Sequence, residues 1–441
     1  MKKQFMFTPT SALFFALICL TFFSCQDEEV SDQLPFLSGT VEVPTQLICG
    51  DPVSIPIVDG ENAEIGKVEI YNDLDNIYIS VFSSGNWFLK GTNLFVGASA
   101  EIPLNTDGKA NIDEFNYKFS HSPLIENHIV EISLDEINDC STLALQVEAV
   151  ELDESGNSLG ETTGWLKEDL ISDGSQGMKY QHCLGECVVK YPIDDIATFA
   201  FEDLAPQKGD ADYNDFVVQM NSKEYYQGKQ IQKIEMEFLA KARGAGFDHG
   251  FLINIPFEGI ANVLIERFNG PLPNSLQSRQ VFEHVKEGDL QVSVFPSTKI
   301  SLPSTNDDVR VNTIPQTTLL DYQLAKVTIL IKEGRLLSNS PYDPFLRVKN
   351  TNSEIHILEL TQKIDADGDG QKDYWQDEKG IHPFGIVMHN AWVWPLEEVY
   401  IKNVYPNYKF VIENGVFKPA DPKWYETPQE GTDYFRPELF N

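Results

Sequence analysis

The sequence has little positive charge and lacks the motifs that mark several common enzyme classes. Its 441 residues include 33 Lys and Arg against 67 Asp and Glu, which gives a formal net charge of −34. So negative a chain repels phosphate backbones, and this excludes a general nucleic-acid-binding protein. The histidines show no HExxH spacing, and neither a GxSxG turn nor a Walker loop is present. The sequence therefore favours neither a zinc hydrolase, a serine hydrolase with that turn nor a P-loop enzyme.

Only the start of the chain carries a long apolar run. Two lysines precede residues 11–23, and this run is too short for a comfortable membrane span, which needs about 20 apolar residues. A serine and Cys25 follow, and they resemble a bacterial lipobox, in which the thiol is lipid-modified before cleavage. We expect a lipoprotein signal peptide over residues 1–24, a lipid anchor on Cys25 and a tether over residues 25–38. A plain signal peptide is the alternative.

The acidic residues after Cys25 bear on location. Residues 26–29 (QDEE) resemble a surface-export signal of bacterial lipoproteins, and a solvated linker is the alternative. Together with the lipobox, they predict a protein attached to the outer membrane through its N-terminal lipid and exposed at the cell surface.

Cysteine is scarce in the remainder of the chain. Four residues remain after the anchor, namely Cys49, Cys140, Cys183 and Cys187, and they form no CxxC pair. An exported protein meets an oxidising compartment, so disulfides are favoured over a thiolate metal site. Four cysteines allow three pairings. We expect Cys49 to pair with Cys140, and Cys183 with Cys187.

Alternation of apolar and polar residues predicts strands in both halves. Residues 67–71 and 76–82 alternate and are separated by a turn-forming NDLD cluster, which predicts a hairpin. The sequence as a whole predicts an all-β, mostly antiparallel protein, with a β-sandwich over residues 39–185 and a larger β-rich domain over residues 190–441. Further predicted strands are 94–96, 117–119, 129–134, 143–150, 231–238, 250–255, 290–294, 325–331, 345–348, 355–358 and 409–412.

A first acidic cluster begins the second half. Alternate spacing at its centre allows a curled loop to direct successive side-chain oxygens toward one point, which suits Ca²⁺, a cation with six to eight oxygen ligands. Apolar residues on both sides should hold the cluster against a core. A bound cation is therefore the favoured interpretation, and a solvated acidic turn is the alternative. The candidate ligands are Glu202, Asp203, Asp210, Asp212, Asn214 and Asp215.

This part of the chain resembles the LruC-domain family. The resemblance is carried by residues 200–204 (AFEDL), 209–218 (GDADYNDFVV) and 241–251 (KARGAGFDHGF), with weaker similarity in the last hundred residues. It covers roughly residue 191 to the C-terminus, and Ala205 stands where the family has an aromatic. Membership implies a mostly β cell-envelope protein without established catalytic activity, and the N-terminal half looks like the β-sandwich modules that precede such domains.

A second acidic cluster follows the first half of an EF-hand loop. Acidic residues occupy positions 1, 3, 5 and 9, a glycine occupies position 6, and Gln371 at position 7 offers its backbone carbonyl. Gln376 replaces the bidentate Glu at position 12, although Asp377 is adjacent, so a shortened calcium loop is favoured over a complete EF-hand. An acidic surface turn is the alternative. The acidic positions are Asp365, Asp367, Asp369 and Asp373.

Three hypotheses of function follow. The favoured one is a surface-anchored binding or adhesion module without catalytic activity, whose loops are stiffened by Ca²⁺ and whose ligand is a glycan or a protein. A surface polysaccharide hydrolase and a self-assembling structural envelope protein are the alternatives. Arg243, Asp248 and His249 are tempting as catalytic groups, but a packing turn is favoured for them. Trp87, Trp392 and Trp394 are candidate ligand contacts, and a core position is favoured for each.

Overall fold

The computed structural model describes residues 36–37, 48–171, 177–193, 196–270, 275–285, 288–304 and 310–440. The predicted signal peptide, Cys25 and nearly all of the predicted tether lie outside these residues. Within them, no helix has the length and apolar character needed to cross a membrane.

The first half of the chain forms one curled, mostly antiparallel sheet. Its order is β1-β6-β5-β8-β9-β2-β3-β4-β7, with β10 and β11 continuing from β8. Strands β6 and β7 follow one another in the chain but stand near opposite ends of this order, so the sheet curls into a nearly closed barrel. The strands are β1 (Phe36–Leu37), β2 (Cys49–Val58), β3 (Glu64–Asn72), β4 (Asn76–Ser83), β5 (Trp87–Gly97), β6 (Tyr117–Ile125), β7 (Asn127–Ser133), β8 (Cys140–Leu152), β9 (Ser158–Leu166), β10 (Asp169–Leu170) and β11 (Met178–Cys183).

The hairpin expected from the alternating residues is present as β3 and β4. Its turn is fixed by Asp73, whose Oδ1 accepts hydrogen bonds from the backbone N–H groups of Asp75 and Asn76 at 2.7 Å each. Ile70 pairs with Ile79 across the hairpin, and both are fully buried. The alternation therefore directs one side of the hairpin into an apolar core, as a half-buried strand requires.

The disulfide pairing expected from the sequence is wrong. Cys49 is bonded to Cys187, and Cys140 to Cys183. The reason lies in strand pairing, because β11 runs antiparallel to β8 and sets Cys183 directly opposite Cys140. Cys187 lies in the next strand, beyond the point where the chain leaves the first sheet, so the bond to Cys49 joins the two halves of the protein.

The described residues of the second half form three sheets, and the sheet partners change between Cys183 and Glu186. An eight-stranded sheet has the order β18-β17-β20-β15-β14-β13-β25, with β12 on β14; the others are β19-β16-β21-β22 and β23-β24-β26-β27. The strands are β12 (Glu186–Tyr191), β13 (Ala197–Phe201), β14 (Phe216–Gln227), β15 (Gln230–Ala242), β16 (His249–Ile255), β17 (Phe257–Phe268), β18 (Leu276–His284), β19 (Leu290–Phe295), β20 (Gln323–Leu336), β21 (Asp343–Val348), β22 (Glu354–His356), β23 (Tyr374–Asp377), β24 (Gly380–Pro383), β25 (Gly385–Met388), β26 (Phe410–Glu413) and β27 (Val416–Pro419).

Helices are short throughout the described residues. Three α-helices of four residues are present: α1 (Thr298–Ser301), α2 (Leu358–Thr361) and α3 (Ile401–Val404). Single 3₁₀ turns lie at Ser99–Glu101, Ile112–Glu114, Leu134–Glu136 and Pro437–Leu439. The all-β, mostly antiparallel class expected from the sequence is confirmed.

Phe251 on β16 joins two sheets of the second half. Its ring contacts Phe201 on β13, Phe216 on β14 and Phe238 on β15, with centroid separations of 5.7–6.2 Å. All four rings are fully buried. Burial of such large rings stabilises the packing of the two sheets, and tilted ring pairs add to it. Phe201 and Phe216 are also the last and first residues of strands β13 and β14, so this core holds both ends of the loop between them.

Candidate metal centre

The first acidic cluster is the loop that joins β13 to β14. The two strands are antiparallel, with Phe201 opposite Phe216, so the loop leaves and re-enters the sheet at one edge. The backbone N–H of Asp203 donates to Oδ2 of Asp215 at 2.7 Å and closes the neck of the loop. Glu202 is held from the other side, because its N–H donates to the carbonyl of Phe384 at 2.8 Å.

The centre of the loop is curled, as its alternate spacing predicts. Ala211 and Tyr213 adopt positive φ angles of 59° and 54°, a left-handed conformation that costs about 1–3 kcal/mol for each non-glycine residue. Tyr213 is anchored by its hydroxyl, which donates to the carbonyl of Pro383 at 2.7 Å and lies 2.6 Å from the hydroxyl of Tyr408. The carbonyl of Ala211 accepts from the N–H of Ile401 at 2.8 Å. The surrounding structure therefore fixes this backbone.

Three carboxylates meet at this curl. Glu202, Asp210 and Asp212 each present an oxygen within 4.8 Å of the others, a spacing that allows them to hold a metal ion together. Glu202 and Asp212 are only 1% and 2% exposed, whereas Asp210 is exposed to solvent. Oε1 of Glu202 accepts from the N–H of Tyr213 at 2.6 Å, and Oδ2 of Asp212 accepts from the N–H of Glu398 at 2.9 Å. Two of the three side chains are therefore fixed in place.

Two buried oxygens beside the cluster lack a hydrogen-bond partner among the described residues. They are Oε2 of Glu202 and Oδ1 of Asn214. A buried polar atom left in this way costs about 1–3 kcal/mol, and an ion or water is an ordinary explanation for it. A glycine makes room for each oxygen: a Cβ at Gly209 would lie 2.0 Å from Oε2 of Glu202, and one at Gly244 would lie 1.9 Å from Oδ1 of Asn214.

The negative charges of the cluster repel one another. Burial, and then the negative charge of Asp210, raises the pKa of Glu202 to about 8. Burial, and then the charge of Glu202, raises the pKa of both Asp212 and Asp215 well above the usual range. Burial also raises the pKa of Asp210. Without a counter-charge these groups favour the protonated form more than free carboxyl groups do, and a divalent cation would reverse that preference.

Asp203, Asn214 and Asp215 lie beside the three converging carboxylates and have partners of their own. Oδ2 of Asp203 lies 2.9 Å from Nε2 of His249, and both residues are buried. The amide nitrogen of Asn214 donates to the carbonyl of Pro395 at 3.2 Å. Asp215 accepts from the backbone at the neck of the loop. His249 therefore orients the carboxylate of Asp203, in the way that residues around a metal site orient its ligands.

Three further residues of the site were missed in the sequence. Glu397, Glu398 and Arg310 line a cavity of about 610 Å³ together with Glu202 and Asp210. Nη1 of Arg310 lies 3.1 Å from Oε1 of Glu397. These residues are separated from the loop by about 95 to 190 positions and carry no motif, so only the adjacent glutamates offered any sequence signal.

The second acidic cluster forms a separate loop between α2 and β23. Asp365, Asp367 and Asp369 present oxygens within 4.8 Å of one another, as the EF-hand-like spacing predicts. The N–H of Gly370 donates to Oδ2 of Asp365 at 2.9 Å, and Gly370 has a positive φ of 86° at the sharp turn. Oδ1 of Asp365 is a buried atom without a hydrogen-bond partner among the described residues.

The other predicted ligands of this loop have different surroundings. Asp373 is buried, accepts from the N–H of Ala366 at 2.8 Å, and has its pKa raised to about 6 by burial. The side chain of Gln371 is exposed and donates to Oδ2 of Asp369 at 3.2 Å. Asp377 is engaged by Lys208 at 2.7 Å. A four-residue helix precedes the loop and a strand follows it, so the described residues form no EF-hand helix pair here.

The glycine-rich segment before β16 has structural contacts. The buried guanidinium of Arg243 donates to the carbonyls of Leu302 and Ala245 at 3.1–3.3 Å. Asp248 accepts from Ser297 at 2.8 Å and from Lys349 at 2.6 Å. These contacts agree with a packing turn. Trp392 and Trp394 are 2% and 1% exposed and belong to the core, while Trp87 is half-buried.

A comparison with known protein families matches part of this region. Residues 229–425 match a family described as a domain of unknown function, DUF4842. The DUF4842 match includes the second acidic loop together with Gly244, Arg310 and Glu397, and it begins after the first acidic loop. This match neither confirms nor refutes the resemblance to the LruC-domain family, which stays an expectation. No curated protein matches the sequence.

Similarities to solved structures are weak. The coconut allergen cocosin is 6% identical, with 66% of this chain and 86% of that chain covered and a TM-score of 0.09. An 11S globulin from Wrightia tinctoria is 7% identical, with 69% and 89% covered and a TM-score of 0.10. An oxalate decarboxylase is 8% identical, with 68% and 81% covered and a TM-score of 0.10. Scores this low support no conclusion about fold or function.

Proposed function

We propose that the protein is a non-catalytic, cell-surface binding or adhesion module whose second half is stabilised by calcium. The observation that carries the proposal is the pair of unpartnered buried oxygens, on Glu202 and Asn214, beside three converging carboxylates. Oxygen donors of carboxylate and amide type are the ligands that Ca²⁺ prefers. The ion would neutralise the cluster and hold the curled loop rigid. The loop formed by Asp365, Asp367 and Asp369 is the second calcium site of the proposal.

The cavity lacks the side chains of serine, cysteine and histidine hydrolases. Among the described residues that line it, none is a serine, a cysteine or a histidine. The nearby imidazole of His249 is fully buried and engaged by Asp203. The cavity therefore offers no serine, cysteine or histidine for nucleophilic catalysis.

Calorimetric titration of the chelator-treated chain with calcium chloride tests the proposal. We expect two binding events, with Glu202→Gln removing one and Asp369→Asn removing the other. Asp107→Asn is the matched control, because Asp107 is an exposed acid in the connection between β5 and β6, and it should keep both events. Absence of binding at millimolar calcium would contradict the proposal.

The anchor and the surface location are proposed from the lipobox resemblance. Metabolic labelling with a radioactive fatty acid should label the full chain and leave a Cys25→Ala variant unlabelled. Protease treatment of intact cells should then digest the labelled protein if it faces outward. Equal labelling of the variant would refute the anchor without affecting the calcium sites.

A further inference from the structure

We infer that the ion at Glu202, Asp210 and Asp212 is the recognition centre for a neutral saccharide, whose neighbouring hydroxyl groups complete its coordination in the adjoining cavity. The inference rests on the first calcium site of the proposed function and names the class of ligand that this site takes. It is carried by the open side of the cluster, the charge of the cavity and the shape of its walls.

The arrangement of the three carboxylates leaves one side of the ion open. Calcium takes six to eight oxygen ligands. Glu202 and Asp212 are buried and form the floor, whereas Asp210 is exposed at the mouth. The unpartnered oxygen of Asn214 lies against Gly244, which lines the cavity. Several positions toward the cavity remain for oxygens from outside the chain.

The charge of the cavity selects against anions. Besides Glu202 and Asp210, the acidic residues Asp203, Asp215, Glu397 and Glu398 line it. Its two basic side chains are already paired, Lys208 with Asp377 at 2.7 Å and Arg310 with Glu397 at 3.1 Å. One divalent ion leaves this surface negative, so a carboxylate or phosphate ligand is repelled. A pair of hydroxyl groups coordinates the ion through oxygen and donates hydrogen bonds to the same carboxylates.

The walls of the cavity suit a sugar ring. Phe247 and Leu204 line it, and Leu204 is 41% exposed, so both give apolar surface for the C–H face of a pyranose. Gly246 also lines the cavity, and a Cβ at this position would meet no atom within 4 Å. The volume of about 610 Å³ falls within the range of about 300–1,000 Å³ common for small-ligand sites.

Terbium luminescence tests this directly. Tb³⁺ replaces Ca²⁺, and its lifetimes in H₂O and D₂O count the water molecules bound to the ion. The full chain would carry Asp365→Asn and Asp369→Asn, so that only the first site is loaded. We expect about two or more bound waters. Methyl α-D-mannopyranoside, methyl α-L-fucopyranoside or methyl β-D-galactopyranoside, at about 100 mM, should lower that number. Their fully O-methylated forms and galacturonate should not.

Two variants distinguish sugar binding from ion binding. Phe247→Ala should weaken the sugar effect about tenfold and leave Tb³⁺ affinity nearly unchanged, since it removes an apolar wall and no ligand. Glu398→Gln is the second variant. It should also weaken the effect of the sugar and leave Tb³⁺ affinity nearly unchanged. A site that binds Tb³⁺ with no open water, or with waters that none of the three glycosides displaces, overturns the inference while the calcium site stands. Failure to bind Tb³⁺ at all refutes the proposed calcium site instead.

Discussion

The ammonium group of Lys208 lies 2.7 Å from Oδ2 of Asp377, and this ion pair joins the two acidic loops. Lys208 belongs to the loop between β13 and β14, and Asp377 ends the strand that follows the second loop. Burial alone would raise the pKa of Asp377, but Lys208 and the N–H of Lys379 lower it to about 2. Trp375 of the same strand lies behind Gly209, with its ring 3.7 Å from the position of a Cβ there.

This connection predicts weak coupling between the two ion sites. Lys208 is 57% exposed, and pairs so open to solvent contribute at most about 1 kcal/mol. Asp365→Asn with Asp369→Asn should therefore lower the calcium affinity of the first site by no more than about fivefold. Calorimetric titration of this variant measures the effect. A loss of binding at both sites would show that the loops fold as one unit.

The calcium-induced gain in melting temperature should grow with pH. The pKa of Glu202 is raised from 4.5 to about 8, so the folded, ion-free chain holds a proton that the unfolded chain releases. The free energy of unfolding of the ion-free chain therefore falls as pH rises through this window. Because a bound ion favours the ionised form of Glu202, the calcium-bound chain does not lose this free energy of unfolding as the pH rises. Melting curves with calcium and with chelator, at several pH values from 5 to about 8.5, test this. Glu202→Gln should abolish most of the trend, and an equal gain at every pH would contradict it.

Two glycines should be intolerant of alanine and a third should tolerate it. A Cβ at Gly209 or Gly244 would displace the oxygen of Glu202 or Asn214, so each substitution should weaken calcium binding at the first site at least about tenfold. Gly246→Ala is the matched control, because its Cβ meets open space. Titration calorimetry compares the three variants. Unchanged binding in Gly209→Ala and Gly244→Ala would show that these oxygens do not hold the ion.

Removal of either disulfide should destabilise the first half without lowering the calcium-dependent transition. The Cys140–Cys183 bond lies within the first sheet, and the Cys49–Cys187 bond ties that sheet to β12 of the second half. They close segments of 43 and 138 residues, and loss of such bonds typically costs about 2–5 kcal/mol. The paired Cys49→Ser and Cys187→Ser variant, compared with the Cys140→Ser and Cys183→Ser variant, tests this by differential scanning calorimetry. A parallel decrease of the calcium-dependent transition would contradict it.

Local patterning predicted much of the fold. The strands β3, β4, β8, β15, β16 and β20 were recognised from apolar alternation in the sequence. In the structure β15 alternates between buried and partly exposed residues, whereas β4, β8 and β16 are mostly buried on both sides. Strand β14 (Phe216–Gln227) was missed, since it begins with consecutive apolar residues and ends in polar ones. The mostly exposed β18 was missed because its residues give no apolar period. The disulfide pairing was wrong because it depends on which strands are neighbours, and the strand order of a sheet is not contained in any local period.

The acidic loops were predicted as clusters, and their surroundings were not. Spacing identified Asp210 and Asp212, and Asp365 to Asp369, because alternate positions share a side of a curl. Glu397 and Arg310 enter the same cavity only through tertiary contacts. Nothing in the sequence distinguished Gly209 and Gly244 from other glycines, because glycine is needed at these two positions only where side-chain oxygens pack against them.

The loop between β13 and β14 is anchored at its ends and exposed at its tip. Pro206, Gln207 and Lys208 are exposed, whereas Glu202 and the residues from Ala211 to Asn214 are buried. Changes in length or composition at the tip would therefore leave the buried floor undisturbed. The exposed residues around the cavity can therefore change during evolution, and with them the ligand that is bound. The buried residues that stabilise the loop need not change.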